Sequence, residues 1–251
     1  MNNQSALRVL TEEIIACRKC PRLVAHREKM AREKRRAYLE WTYWGKGVPG
    51  FGDPDAELFL LGLAPGAHGS NRTGRMFTGD RSGDFLYAAL HQAGFANQAN
   101  CTDRDDGLEL KNAYISAAAR CAPPDNKPLP AELASCRGYL GRELEIIRPK
   151  VVLALGKIAW DTYLGILQSQ GVIRSRAKYS FAHGAEAKLP SGHPLLVGVY
   201  HPSQQNTQTG KVTLAMYARV LGRINRYLKT TKPLGLQARS FACRGLQPTV
   251  R

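Results

Sequence analysis

The chain is short of acidic residues: 20 aspartates and glutamates stand against 36 lysines and arginines among 251 residues, which gives a net charge of +16. A surface with this excess attracts polyanions, of which nucleic acid is the commonest. Charge alone leaves a basic but otherwise ordinary soluble enzyme as the alternative. It carries no information about sequence specificity.

Long apolar runs are also absent. No stretch reaches the length of a membrane span, and the first twenty residues lack the apolar core and the cleavage site of a signal peptide. We therefore expect a protein without a membrane partner, located in the cytoplasm and associated with the nucleoid. In that compartment the six cysteines are expected to be thiols or metal ligands rather than disulfides.

No internal repeat is visible, and 251 residues are enough to bury a full core. Short apolar runs that begin near Ala56, Ala113, Val151 and Leu195 predict buried strands, and helical patterns separate or follow them. This alternation predicts an α/β fold with three layers, α/β/α, around a parallel sheet. Such sheets bind ligands at the carboxyl ends of their strands.

One domain is predicted over residues 1–230. Residues 231–251 contain no acidic group and little periodicity, a composition typical of a mobile basic tail. Cys243 lies in that tail and is not expected to bind a metal. A second basic run, REKMAREKRR from Arg27, predicts a solvated helix face, with contact to DNA phosphate as the alternative.

Four cysteines have a pattern typical of a metal centre. Cys17 and Cys20 form a C-x-x-C pair, whereas Cys121 and Cys136 are fifteen residues apart. Four thiolates suit a structural zinc ion or a four-iron cluster, and the wide second pair favours the cluster. Burial of Cys136 as simple packing is the third interpretation. Cys101, in a polar insert, is expected to be a free thiol.

The segment GLAPGAHGSNRTGRMFTGDRSG, residues 62–83, places six glycines between a predicted strand and a predicted helix. Loops of this kind commonly bring backbone amides to the phosphate of a nucleotide or of DNA. The segment lacks the Gly-Lys-Ser/Thr end of a triphosphate loop and the spacing of a dinucleotide fingerprint, which disfavours a nucleotide-hydrolysing enzyme. Asp80 is either a helix cap or a group that holds and polarises water.

Two further polar positions lie at predicted strand ends. Asn126, in APPDNKP, is either a turn residue or a member of the site. His201 passes from a strand directly into Pro202, so its imidazole is expected at the ligand edge of the sheet, with a structural role as the alternative. The small polar residues that follow His201 suit contacts with phosphates and bases.

Together these motifs resemble the uracil-DNA glycosylase superfamily, and within it the family 5 enzymes. The resemblance runs from CRKC through YWGKGVPGFGDPD, the glycine segment and RCAPPDNKP to HPSQQNTQTGK, so it covers about residues 10–230. It implies a central four-stranded parallel sheet and a structural four-iron–four-sulfur cluster on the four cysteines, with zinc as the alternative. It also implies a monomeric repair enzyme that flips deaminated bases out of DNA, mainly double-stranded and also single-stranded, and hydrolyses the N-glycosidic bond.

The resemblance assigns roles position by position. Asp80, helped by Asn126, would orient or deprotonate the attacking water, and His201 would donate to the departing base. Phe77 would stack on the extruded base. The implied base-binding positions are Gly62, Ala64, Gly66, Phe77 and Ala117. The implied DNA-binding positions are His68, Arg72, Arg75, Ser203, Gln204, Gln205, Asn206 and Lys211.

One departure from the superfamily pattern bears on specificity. The stretch ISAAARC places Ala117 where other branches carry an asparagine that pairs with the uracil edge. A pocket without that side chain loses its strongest means of rejecting other bases. We therefore expect removal of hypoxanthine or xanthine as well as uracil. Two rival functions stay open: an iron–sulfur protein that binds nucleic acid without cutting it, and a zinc-containing nucleotide-binding enzyme that acts on small molecules.

Overall fold

Continuous apolar runs form the middle of the sheet. The computed structural model describes residues 2–231, and within them the strands are β1 (Phe51–Gly52), β2 (Leu58–Gly62), β3 (Ala113–Ala117), β4 (Val151–Leu155), β5 (Glu186–Ala187) and β6 (Leu195–Val199). Every residue of β2, β3, β4 and β6 is buried, because helices cover both faces of a parallel sheet.

The strand order is β1-β3-β2-β4-β6-β5. The four long strands pair in parallel, and the two short outer strands are antiparallel to their neighbours. The predicted four-stranded parallel sheet is therefore confirmed, with one short strand added at each edge. Two-residue strands carry too little periodicity to be visible in the sequence.

Helices cover both faces of this sheet. They are α1 (Asn3–Ala16), α2 (Pro21–Glu33), α3 (Ser70–Thr73), α4 (Arg81–Gln92), α5 (Pro130–Ile147), α6 (Lys157–Ser169), α7 (Gln204–Gln208) and α8 (Leu214–Thr230). Apolar side chains of α4 and α8 pack with Leu58 and Leu60, whereas those of α5 and α6 pack with Phe59 and Leu61 on the opposite face. The predicted three layers are thus confirmed.

The N-terminal helices attach to this core from outside. Leu10 and Ile14 of α1 pack against Tyr139 of α5, as the apolar periodicity of the first helix predicts. The prediction for the following basic run is wrong at its first residue: Arg27 in α2 is 2% exposed. Charge by itself could not distinguish this buried guanidinium from its solvated neighbours.

The chain leaves the described fold at the end of α8, where the Thr231 backbone N–H donates to the Tyr227 carbonyl at 3.0 Å. The rest of the predicted basic tail, residues 232–251, lies outside the described residues. Cys243 belongs to it. From residue 2 to residue 231, no helix has both the length and the apolar character of a membrane span.

Candidate active site

The carboxyl ends of the parallel strands form one edge of the sheet. Backbone hydrogen bonds join the loops that leave this edge. The Ala118 and Ala119 N–H groups donate to the carbonyls of Gly62 and Leu63 at 3.0 and 2.9 Å. The Gly156 N–H donates to the Val199 carbonyl at 2.8 Å, which joins the ends of β4 and β6. The predicted base-binding residues Gly62 and Ala117 are register partners at this edge, and both are buried.

Asp80 caps a helix with one carboxylate oxygen and places the other against two glycines. Its Oδ1 accepts the Gly83 N–H at 3.0 Å, which makes it the N-cap of α4. Its other oxygen, Oδ2, lies against the backbone of two glycines: a Cβ at Gly69 would stand 2.1 Å from it and one at Gly66 would stand 3.0 Å from it. We call this pair of glycines the Asp80 cradle. Ordinary capping needs no such cradle.

Opposing effects act on the pKa of Asp80. Burial raises the pKa of the carboxyl above its ordinary value, because the charged form loses solvation. The Gly83 and Ser82 N–H groups and the Arg72 guanidinium oppose this rise, while the nearby Asp84 carboxylate adds to it. A partly desolvated carboxylate held by donors is the environment that suits activation of a water molecule.

The rings of Phe77, which lies on the same glycine segment as Asp80, and His201 lie close together. Their ring centroids are 6.0 Å apart and their planes are inclined by 34°. The Phe77 ring lies on Gly62, where a Cβ would stand 2.7 Å from the ring, and its backbone adopts φ +53°, which is uncommon for a bulky residue. This uncommon backbone conformation places the Phe77 ring next to His201.

His201 is positioned from both sides of its peptide. The Asn206 side chain donates to the His201 carbonyl at 2.8 Å, and a Cβ on Gly156 would stand 3.4 Å from the His201 Cβ. Burial lowers the pKa of the imidazole to about 4. The ring is therefore neutral near pH 7 and offers one N–H donor without a full charge.

Asn126 lies on the loop after β3 and is exposed. Asp125 and Asn126 are consecutive residues with left-handed backbone, at φ +53° and +56°. Asparagine and aspartate tolerate this conformation better than most residues, so the local sequence has a conformational reason for both. Whether the Asn126 amide belongs to the site stays a prediction.

The polar residues after His201 form a short surface helix. Ser203 is the N-cap of α7, and its Oγ accepts the Asn206 N–H at 3.4 Å. Gln204 and Gln205 are exposed, and the Lys211 ammonium lies 5.3 Å from the centroid of the Tyr200 ring. These side chains lie at the surface, where a DNA strand can reach them. Their contact with DNA stays a prediction.

Two predicted DNA contacts require correction. Arg72 and Arg75 are each only 4% exposed. Arg75 forms a bidentate ion pair with Asp106, both distances being 2.8 Å, and donates to Thr78 Oγ1 at 2.9 Å. Both guanidinium groups are thus engaged inside the protein rather than presented to a phosphate. Their position in the glycine segment gave no signal of this burial.

His68 lies at the surface of the same segment and is half-buried. Its Nδ1 is 3.1 Å from the Tyr43 hydroxyl. Burial lowers the pKa of His68, and the neighbouring Arg35 and Arg72 charges act in the same direction. A neutral imidazole bonded to a tyrosine is compatible with a phosphate or sugar contact through its other nitrogen. Ala64 lies nearby on the loop and is also half-buried.

The four cysteines predicted as metal ligands lie at element ends and on α5. Cys17 caps the end of α1, and Cys20 is the N-cap residue of α2. Cys121 follows β3 and Cys136 lies on α5, both buried. Within residues 2–231, no three or more histidine, cysteine, aspartate or glutamate side chains are close enough together to hold a single metal ion.

An arginine that the sequence did not single out lies among these thiols. Arg27 Nη1 donates to the Cys121 sulfur at 2.9 Å, and its Nη2 donates to the Cys17 carbonyl at 2.9 Å. Its Nε has no hydrogen-bond partner in the described part of the chain. Burial raises the pKa of Cys121 to about 11, Arg27 opposes this, and the nearby thiols of Cys136 and Cys17 add to the rise.

Cys101 is a free thiol, as predicted, but it is buried rather than placed in a polar surface insert. Its sulfur is 3.7 Å from both the Phe77 carbonyl and Asp84 Oδ1. Burial raises the pKa of this thiol to about 12, with the Asp84 carboxylate contributing. Cys101 is therefore an unreactive packing residue beneath the turn that carries Phe77.

Comparison with known proteins gives a consistent result. The family model described as the uracil DNA glycosylase superfamily matches residues 49–229. A protein from Thermus thermophilus named type-5 uracil-DNA glycosylase is 48% identical over 227 residues, which is 90% of this chain and 98% of the relative.

Two further relatives carry the same name. The Mycobacterium tuberculosis protein is 49% identical over 205 residues, 81% of this chain and 75% of its own length. The Pyrobaculum aerophilum protein is 42% identical over 210 residues, 84% of this chain and 88% of its own. The similarity therefore spans most of the described fold.

Proposed function

Because the chain belongs to the uracil-DNA glycosylase superfamily, we propose that it removes uracil from DNA by hydrolysing the N-glycosidic bond and leaves an abasic site. The observation that carries the proposal is the Asp80 cradle, which holds a partly desolvated carboxylate on the same glycine segment as Phe77, the residue whose ring lies close to His201. A stacking ring, a neutral N–H donor and a carboxylate are the groups that this hydrolysis needs.

The first step is extrusion of the base. A base inside the duplex is out of reach, so it is flipped at a cost of about a few kcal/mol, least for a damaged or mispaired base. The Phe77 ring, fixed on Gly62, provides a stacking face for it. Contacts from Ser203, Gln204 and Gln205 to the backbone and to the gap in the duplex offset the cost without reading sequence.

Bond cleavage builds positive charge on the sugar and negative charge on the departing base. Asp80 accepts a hydrogen bond from the attacking water and stabilises the sugar charge, with Asn126 as a second partner for the water. His201, whose pKa is lowered to about 4, donates its N–H to the base as a neutral group. A neutral imidazole stabilises the leaving anion without first having to acquire a proton.

The range of substrates follows from Ala117. This residue is 1% exposed and pairs in register with Gly62, so the end of β3 carries a methyl group and no hydrogen-bonding side chain at this point. A pocket that does not pair with the uracil edge discriminates weakly against other deaminated bases. We include hypoxanthine and xanthine in the proposed range for this reason.

We also propose that Cys17, Cys20, Cys121 and Cys136 hold a four-iron–four-sulfur cluster. The Arg27 guanidinium fits this group, because a buried cation that bonds a cysteine sulfur rather than a carboxylate needs an anion nearby. A cluster binds each thiolate to a different iron, so its ligands lie further apart than those of one zinc ion. When bound, the cluster would link α1, α2, the loop after β3 and α5.

A panel of duplexes tests the function. Three duplexes carry a single uracil, a single hypoxanthine or a single xanthine, and a fourth carries only normal bases. After incubation with the protein, alkali cuts the strand wherever an abasic site has formed. We expect product from the three deaminated bases and none from normal DNA. Binding of every duplex without product would favour the rival iron–sulfur DNA-binding protein, and product from uracil alone would refute the wider range.

The metal proposal has its own test. Protein purified without oxygen is expected to be brown, to absorb broadly near roughly 400 nm and to contain about four irons per chain. A colourless protein with one zinc per chain would refute it.

A further inference from the structure

Arg72 lies in an aromatic sandwich beside the candidate active site. Its guanidinium carbon is 4.0 Å from the ring centroid of Tyr38 and 4.0 Å from that of Trp41. Both rings belong to the connector between α2 and β1 and are half-buried, while Arg72 on α3 is 4% exposed. We call these three side chains the Arg72 stack. A desolvated cation between two aromatic faces is held more firmly than a surface arginine.

The guanidinium edge joins two distant points of the glycine segment, His68 and Gly79. Nε donates to the His68 carbonyl at 2.8 Å, and Nη2 donates to the Gly79 carbonyl at 2.8 Å. Gly79 directly precedes Asp80, so the second hydrogen bond fixes the peptide unit that leads into the carboxylate. The planar fork of arginine makes both bonds at once, which lysine cannot do.

Gly79 is adapted to this contact. It has φ +82°, and a Cβ there would stand 2.4 Å from Arg72 Nη2 and 2.9 Å from the Thr73 methyl carbon. Any larger residue would displace the guanidinium or the turn. The approach of Arg72 and the absence of a side chain at position 79 therefore form one arrangement.

We propose that Arg72, held between Tyr38 and Trp41, is a positioning residue for the reaction: it joins His68 to Gly79 and thereby fixes the orientation of the Asp80 carboxylate. The inference rests on the proposed role of Asp80 in glycosidic hydrolysis. Arg72 itself touches no reacting atom, since its guanidinium is buried under the two rings.

Electrostatics supports the same arrangement. The charged groups that act on Asp80 are Arg72 on α3 and Asp84 on α4, alongside the backbone N–H groups of Ser82 and Gly83. Arg72 lowers the pKa of Asp80 against the effect of burial, so it favours the ionised form that accepts a hydrogen bond from water. Loss of this charge raises the pKa of Asp80 further.

The test compares Arg72→Lys and Arg72→Gln in the full-length protein with its metal content intact. Single-turnover cleavage of a uracil duplex is measured with enzyme in saturating excess, across pH 4 to 9, beside the dissociation constant for the uncut duplex. Arg174→Lys, at an exposed position in the loop after α6, is the matched control.

We expect Arg72→Lys to slow cleavage about 10- to 100-fold, because the fork that joins the two carbonyls is lost while the charge remains. In Arg72→Gln the acid limb of the rate profile also moves to higher pH. Binding of the duplex changes less than threefold in both variants. The titration of His201 is not expected to move, since its lowered pKa results from burial alone.

A double substitution guards against variants that fail to fold. Tyr38→Leu with Trp41→Leu removes both aromatic faces and leaves Arg72 in place, and we expect it to lower the rate in the same way. Normal cleavage rates and an unmoved acid limb in variants that fold would overturn the inference, as would loss of DNA binding with unchanged chemistry. If the unmodified protein cleaves no uracil duplex, the proposed function fails instead.

Discussion

A Cβ at Gly69 would stand 2.1 Å from Oδ2 of Asp80, so this carboxylate oxygen lies against a position that only glycine fits. We predict that Gly69→Ala slows single-turnover cleavage about 10- to 100-fold, because the added methyl group displaces the carboxylate from the water that it holds.

Gly138→Ala is the matched control for that substitution. Gly138 is an exposed position of α5 whose Cβ would meet no atom within 4 Å, so its rate should equal that of the unmodified protein. Equal rates for both alanine variants would mean that the Asp80 cradle has no part in the chemistry.

Asp80→Asn separates the capping role of this residue from its chemical role. Asparagine keeps an acceptor for the Gly83 N–H, so unfolding in urea should show a free energy of unfolding close to that of the unmodified protein. Asp80→Ala loses the cap and should unfold about 1 kcal/mol more easily. Both variants should lose cleavage by about 100-fold or more. Retention of cleavage in Asp80→Asn would assign the residue to capping alone.

His201 should make the fold less stable in acid. The pKa of the His201 imidazole is about 4 in the folded protein, below the ordinary value of 6.5. The unfolded chain therefore binds a proton at His201 more readily than the folded protein does. The contribution of His201 to the free energy of unfolding is fully present above pH 6.5. It declines by about 3 kcal/mol in all as the pH falls toward 4. His201→Asn should therefore lose less stability than the unmodified protein between pH 7 and pH 4.5, measured by urea unfolding. Burial also lowers the pKa of His183 and His193, so some decline should persist in the variant.

Arg27→Met tests whether a cation is needed beside the thiols. The side chain keeps much of its volume but loses the charge and the hydrogen bond to the Cys121 sulfur. We predict that purified Arg27→Met contains less iron per chain and loses its visible absorption faster in air, because the Cys121 thiolate loses the buried cation that bonds its sulfur. Arg32→Met, at an exposed position of the same helix, should behave like the unmodified protein. Equal iron content and equal decay in the two variants would contradict the role of Arg27.

Much of the candidate site was predictable because it depends on local patterns. The apolar runs of the strands, the glycine segment and the His201–Pro202 step indicated an α/β sheet with ligand at one edge, and the structure confirms the sheet. The motifs also indicated the superfamily and the class of enzyme, which the family match and the relatives confirm. The roles assigned to the site residues stay predictions, and these are Asp80, Asn126, His201, Phe77, the other base-binding positions, the four cysteines and the remaining DNA contacts.

The errors concern long-range packing. Arg72 and Arg75 belong to a basic loop in the sequence, but in the fold their partners are Tyr38, Trp41 and Asp106, which lie about thirty residues away along the chain. Arg27 looked like one charge in a solvated run, and only the proximity of Cys121 explains its burial. No local pattern encodes these contacts, because each depends on where a distant element returns.

The sequence by itself determined the layers of this protein and indicated the sheet edge at which we propose its chemistry, since strand runs and glycine positions follow from local sterics and from the burial of apolar surface. Only the tertiary structure decided what surrounds the charged groups. Whether a guanidinium meets water, a carboxylate or two aromatic rings depends on desolvation and on partners brought together across the fold. Asp80 depends on both: its cap, its cradle and Arg72 lie in one segment of the chain, but the two rings that hold Arg72 come from a distant one.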